Sequence, residues 1–170
     1  MRLTLLSEAV YQHIGLFIPL PANLAKQYKF KKEDQSKPHI TVLYIGETNS
    51  KDIDLISKVS RKIVSRHDPI EVFISGLAWF TSLDGEEVAH SMVEAKGLTS
   101  LHKELWDGLL KAGIKVSHSY PEYTPHVTLK YSNRRREYDG LIPEGSWVVK
   151  HVELWKSKGN TIARFKLAGK

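Results

Sequence analysis

The chain has 170 residues, 41% hydrophobic and 26% charged, with no cysteine: enough for one domain with a real core, short for two, and free of disulfides, thiol nucleophiles or thiolate zinc sites. Its 25 Lys and Arg against 19 Asp and Glu give a formal charge of +6, which favours anionic partners such as nucleic acid, nucleotides or phosphorylated metabolites. No apolar run reaches the roughly 18 residues of a membrane span, and the opening turns polar at Ser7 and Glu8 before a signal-peptide core forms, so the expectation is a cytoplasmic protein without membrane contact, monomeric by default.

Residues 13–20 (HIGLFIPL) predict a first strand stopped by Pro21, residues 22–28 a short helix and the polar residues 30–37 a loop. Residues 39–45 (HITVLYI) predict a strand ended by Gly46. A helix follows, with Ser50 as N-cap and Asp52 and Asp54 at the positive end of its dipole. Ile53, Ile56, Val59 and Ile63 recur there at helical spacing, while Lys58, Arg61, Lys62 and Arg66 make a basic outer face. Residues 70–80 and 88–94 predict two strands joined through Asp84-Gly85, the preferred type I′ hairpin dipeptide. Leu98, Leu101, Leu105 and Leu109 mark a second helix, stopped at Gly113. Residues 124–131 predict another strand, Arg134-Arg135-Arg136 an exposed basic loop, and residues 147–155 with 161–167 a closing hairpin around Gly159-Asn160. Helices interleaved with strands in this order predict an α+β domain with antiparallel sheets, one domain over residues 1–170.

A short internal repeat carries the chemistry. Lys37-Pro38-His39-Ile40-Thr41-Val42-Leu43-Tyr44 and Thr124-Pro125-His126-Val127-Thr128-Leu129-Lys130-Tyr131 agree in Pro, then His, then Thr two residues after the His, then Tyr five after it. Side chains alternate across a strand. His39 and Thr41 therefore share one face with Ile40, Val42 and Tyr44 opposite, and His126, Thr128 and Lys130 share one with Val127, Leu129 and Tyr131 opposite. The proline is tolerated at the strand's first position. A single His-x-Thr on a strand is ordinary; two matching copies, one in each half, predict a cleft with two imidazoles and two hydroxyls.

On these motifs the chain resembles the two-histidine (2H) phosphoesterases, which include the LigT-like RNA 2′,3′-cyclic phosphodiesterases. The mark of that family is a pair of His-x-Thr motifs, here His39-Ile40-Thr41 and His126-Val127-Thr128. Residues 16–21 (LFIPLP) and 152–157 (VELWKS) also look like family segments. The resemblance, over about residues 13–167, implies a bilobal fold: two pseudo-symmetric antiparallel sheets flanked by helices, with a central cleft and one motif per lobe. Where many LigT-like members carry an arginine after the second motif, this chain has Lys130-Tyr131, and Lys130 becomes the candidate phosphate-facing cation.

Opening a cyclic phosphate needs in-line attack by water, one group to take a proton and another to give one. Histidine suits both roles because its ordinary pKa lies near neutrality. His39 and His126 are the expected acid–base pair, with Thr41 and Thr128 as donors to the non-bridging oxygens. No cofactor is implied, and no metal-ligand cluster stands out; His151-Val152-Glu153 is poor evidence for one. Tyr120 and Tyr123 precede the second motif, either as rings on which a base stacks, worth about 1–3 kcal/mol, or as packing in a proline-constrained loop. His90 is expected to face a partly buried interior and His102 to be exposed, while His13, His67, His118 and His151 lack a motif. Trp79, Trp106, Trp147 and Trp155 are expected in the core. The expected partner is a nucleotide or RNA with a 2′,3′-cyclic phosphate or a 2′–5′ linkage. The alternatives are a viral-type nuclease for cyclic oligonucleotide messengers, a non-catalytic RNA-binding module, and reversible 2′–5′ ligation.

Overall fold

Alternating apolar residues make strands wherever one face must be buried, and the β-branched runs of this chain do so throughout. The computed structural model describes residues 11–28, 37–117, 122–133, 135–157 and 159–168. In chain order they form β1 (Tyr11–Pro19), α1 (Ala22–Ala25), β2 (His39–Asn49), α2 (Ile53–Val64), β3 (Ile70–Thr81), β4 (Glu86–Glu94), α3 (Leu98–Lys111), β5 (His126–Asn133), β6 (Gly145–Val149), β7 (His151–Lys156) and β8 (Asn160–Lys166). They assemble into two four-stranded sheets, ordered β2-β1-β7-β8 and β5-β4-β3-β6, and every pairing is antiparallel. The α+β class and the two pseudo-symmetric sheets agree with the sequence.

The helices cover one side. Leu98, Leu101, Leu105 and Leu109 of α3 are completely buried, and α3 packs on β2 and α2. Ile56, Ser60, Ile63 and Val64 form the buried face of α2, which also meets β8. The predicted basic face of Lys58, Arg61, Lys62 and Arg66 is exposed. The cap of this segment lies one residue earlier than expected: the Asn49 carboxamide oxygen accepts from the Lys51 amide at 3.0 Å, and Ser50 joins a short 3-10 turn leading into α2.

Three boundaries differ from the sequence reading. Gly46 does not end β2; its φ of +102° allows a bulge, because Ile14 pairs with Gly46 and Gly15 with Tyr44, leaving Ile45 as the extra residue. The β3–β4 turn is not a two-residue one. Gly85 donates to the Ser82 carbonyl and Ser82 to the Glu86 carbonyl, while the Ser82 hydroxyl accepts from the Glu86 amide at 3.0 Å, a capped three-residue loop. Residues 147–155 are not one strand. Val149 pairs with Ile70, and from His151 the chain pairs in the other sheet, so Lys150 is the crossing point. Apolar alternation persists across it, which is why the pattern conceals the change of partner. The Gly159-Asn160 hairpin between β7 and β8 is as expected.

Candidate active site

Each His-x-Thr motif opens an edge strand, β2 in one sheet and β5 in the other, and the two strands lie against each other. The rings are held alike. His39 Nδ1 is 2.7 Å from the Lys37 carbonyl, and His126 Nδ1 is 2.9 Å from the Thr124 carbonyl. A carbonyl only accepts, so Nδ1 carries the hydrogen and each Nε2 keeps its lone pair. Burial pulls both imidazoles below their ordinary pKa, with the backbone bonds opposing it; for His39 the charge of His126 adds to the lowering.

The repeat extends to a matched irregularity. Thr41 pairs with Phe17 and Leu43 with Leu16, so Val42 is extra. Thr128 pairs with His90 and Lys130 with Ala89, so Leu129 is extra. A bulge thus follows each threonine by one residue and reverses the alternation beyond it. This corrects three placements. Lys130, opposite buried Ala89, leaves the face of His126 and Thr128, so its assignment as the phosphate-facing cation loses its geometric basis. Tyr131, opposite Val88, takes that face, as Tyr44, opposite Gly15, does in the first copy. Both tyrosines are exposed.

Neighbouring strands floor the cleft through residues without a motif. On one side Phe17 meets His39 edge-on at 5.0 Å, Trp155 meets it at 5.2 Å, and the two floor rings stack at 4.7 Å. On the other, Phe80 and His90 lie 5.2 and 5.0 Å from His126. The registers make Phe17 the counterpart of His90, Trp155 of Phe80, and Glu153 of Ala78. Gly15 makes room for this floor: a Cβ there would fall 2.5 Å from the Phe17 ring. His90, expected in an interior, is buried, yet it packs against His126; the alternate spacing of Val88, His90 and Met92 was the available signal. Trp155, expected in the core, is buried beneath His39.

Tyr123 does not offer a free ring. Its hydroxyl donates to the Thr41 carbonyl at 2.8 Å, and its ring stacks on His102 with centroids 4.0 Å apart. His102, expected to be exposed, is half-buried and donates from Nδ1 to the Val42 carbonyl at 2.6 Å. The pair therefore ties the outer edge of β2, at its bulge, to the segment whose next carbonyl, that of Thr124, holds His126. Base stacking on Tyr123 gives way to this packing role. Tyr120, His118 and Arg134 lie outside the described residues. Arg136 pairs with Glu87 at 2.7 Å, Arg135 with Glu137 at 3.4 Å, and His67 with Glu104; His13 bonds the Tyr44 hydroxyl at 3.0 Å. Trp79, Trp106 and Trp147 are half-buried. Among the described residues no group of three or more His, Asp or Glu could hold a metal ion, and no helix is long and apolar enough to cross a membrane.

A family model described as the 2′-5′ RNA ligase superfamily matches residues 13–161. Among curated proteins, the anti-CBASS protein Acb1 of Vibrio phage KVP40 is 31% identical over 100 residues, covering 59% of this chain and 54% of that protein, so the chain spans about half the length of the curated relative it matches. Among solved structures, TT0787 of Thermus thermophilus superposes with a TM-score of 0.71 at 18% identity, over 93% of this chain and 99% of that one. E. coli LigT complexed with 3′-AMP gives 0.66 at 20% identity, over 93% and 99%. These structural likenesses establish the fold.

Proposed function

This chain belongs to the 2′-5′ RNA ligase superfamily, the two-histidine phosphoesterases, and on that premise we propose that it is a metal-independent phosphodiesterase that hydrolyses 2′,3′-cyclic phosphate or 2′–5′-linked nucleotides and RNA. The observation that carries the reading is the matched pair of imidazoles, each fixed through Nδ1 to the carbonyl two residues earlier, so that each presents Nε2 for proton transfer.

In the reaction one Nε2 takes a proton from water as its oxygen bonds to phosphorus. The phosphorus–oxygen bond to the leaving ribose oxygen breaks, and the other imidazole, entering as imidazolium, protonates that oxygen. The product is a ring-opened monoester, or two fragments from a 2′–5′ linkage. Thr41 and Thr128 stand beside the histidines to donate to the non-bridging oxygens, where preorganised donors act most strongly on developing charge. Burial, which holds the imidazoles neutral, supplies a competent base near neutral pH, and the phosphate charge raises the pKa of the partner that must be protonated.

The phage relative favours a second substrate. It is named as an anti-CBASS protein of a phage, and the resemblance includes viral enzymes that destroy cyclic oligonucleotide messengers; the same site would then open a phosphodiester in a cyclic oligonucleotide. The test is one panel, run with chelator: 2′,3′-cyclic mononucleotides, RNA with a cyclic-phosphate end, 2′–5′ oligoadenylate, and cyclic di- and trinucleotides. Turnover of at least one, lost on changing either histidine, supports the reading. Salt-sensitive RNA binding without product in any arm identifies a binding module instead.

A further inference from the structure

The two halves of the cleft are alike in shape and unlike in charge. Lys37 opens the first motif where Thr124 opens the second. On the floor, buried Glu153 occupies the position that Ala78 holds opposite. Beyond Glu153 comes Arg164 of β8, paired with it in register and through Nη2 at 3.1 Å. Glu153 also accepts from Trp155 Nε1 at 2.8 Å and from the Thr161 hydroxyl at 3.1 Å. Arg164 faces the cleft: its pairing partner Glu153 lies beside Phe17, which touches His39, whereas the adjacent Phe165 packs under Arg61 of α2 on the far side. The Lys37 ammonium lies over the Trp155 ring, 5.2 Å from its centroid, and its charge, like that of Arg164, reaches Glu153. Two cations and one carboxylate leave the His39 half positive, while Thr124, His90, Ala78 and Phe80 put no fixed charge in the other.

We propose that Lys37 and Arg164, held around Trp155 and Glu153, form a second anion subsite that takes the phosphodiester adjacent to the one being cleaved, so that the enzyme prefers substrates with at least two phosphates, linear or cyclic oligonucleotides, over cyclic mononucleotides. This deepens the proposed function and rests on it. The placement fits. Lys37 lies against the β7–β8 turn, where a Cβ on Gly159 would stand 3.9 Å from its Cε, with its ammonium over Trp155 of β7 and Arg164 of β8 on the neighbouring Glu153, so both cations gather on the β7–β8 side of His39. Glu153 has a definite task here. It fixes Trp155 through the indole N–H and holds Arg164 at the floor, leaving that side chain 63% exposed to meet an anion.

The experiment has two arms. In the first, kcat/KM is measured for a 2′,3′-cyclic mononucleotide and for a trinucleotide RNA with a cyclic-phosphate end, using wild type, Lys37→Ala and Arg164→Gln. Loss of one charge-assisted phosphate contact lowers the trinucleotide-to-mononucleotide ratio about tenfold. Lys37→Ala leaves the Glu153–Arg164 pair intact, so it reads the subsite even if Arg164→Gln disturbs the fold. In the second arm, a His39→Ala/His126→Ala protein, with and without Lys37→Ala, binds a fluorescein-labelled trinucleotide across a salt series. Removing the lysine flattens the slope of log Kd against log salt by about 0.7, the single-strand value per phosphate. An unchanged ratio with an unchanged slope overturns the subsite, whether or not the enzyme turns over. Absence of turnover on both substrates, with the slope still flattened, defeats the catalytic reading while the subsite stands.

Discussion

Replacing Tyr123 by Phe removes one oxygen and leaves the ring that stacks on His102 in place. The hydroxyl spans the motifs: it donates to the Thr41 carbonyl at 2.8 Å, on the strand that carries His39, from the residue before the carbonyl that fixes His126. A neutral hydrogen bond contributes about 1 kcal/mol net, and leaving a partly buried carbonyl unpaired costs about 1–3 kcal/mol. The variant is therefore expected to lose about 1–2 kcal/mol of stability, read in urea denaturation as a lower midpoint with an unchanged m-value. The effect on turnover is separate. When β2 and the Tyr123 segment drift apart, the two Nε2 atoms no longer meet one phosphorus together, and misplacement on the ångström scale costs up to about 10²-fold. We expect kcat to fall about tenfold with KM within a factor of two, since no substrate contact is lost. The result that would refute this reasoning is a raised KM with kcat unchanged, which would return Tyr123 to the substrate; wild-type values of both would show that the tie positions nothing.

Gly15→Ala forces a Cβ to within 2.5 Å of the Phe17 ring and 3.2 Å of the Leu43 carbonyl; overpacking of this kind costs about 1–3 kcal/mol, and because Phe17 supports His39 the expected outcome is reduced kcat together with a lower melting temperature. Burial lowers the pKa of His39, His90, His102 and His126. As pH falls through the ordinary histidine value the unfolded chain therefore binds more protons than the folded one, and stability measured by denaturant falls below about pH 6.5. The same shifts place the acid limb of kcat/KM below about pH 6.5, with the alkaline limb of kcat at higher pH than that of kcat/KM, because bound phosphate favours imidazolium. Thr41→Val and Thr128→Val each remove a proposed donor to the phosphate and are expected to lower kcat less than loss of a histidine; weakened phosphate affinity at full kcat would assign them to binding alone.

The sequence made the site legible where it repeats. His39 with Thr41 and His126 with Thr128 share faces because strand alternation is strict over two residues. Beyond each threonine the bulges at Val42 and Leu129 break that alternation, and nothing in their aliphatic side chains announces it; hence Tyr44, Lys130 and Tyr131 take faces opposite to those expected. The leucine stripe of α3 lies as read, since one buried helical face is a single periodic signal. His90, His102 and Trp155 escaped assignment for another reason. Their positions next to the motifs depend on strand order and register, which arise from pairing between distant segments; the alternate spacing around His90 gives its face but not its neighbour.

The central claim is that His39 and His126 act together on one phosphorus. It is tested most directly by kcat for His39→Ala, His126→Ala and the double variant on a turned-over substrate from the panel, with folding checked by circular dichroism. The account predicts that each single change costs about 10²-fold or more, and that the double variant falls little further, because groups acting as a unit are not additive. Near-wild-type turnover by either single variant would contradict it.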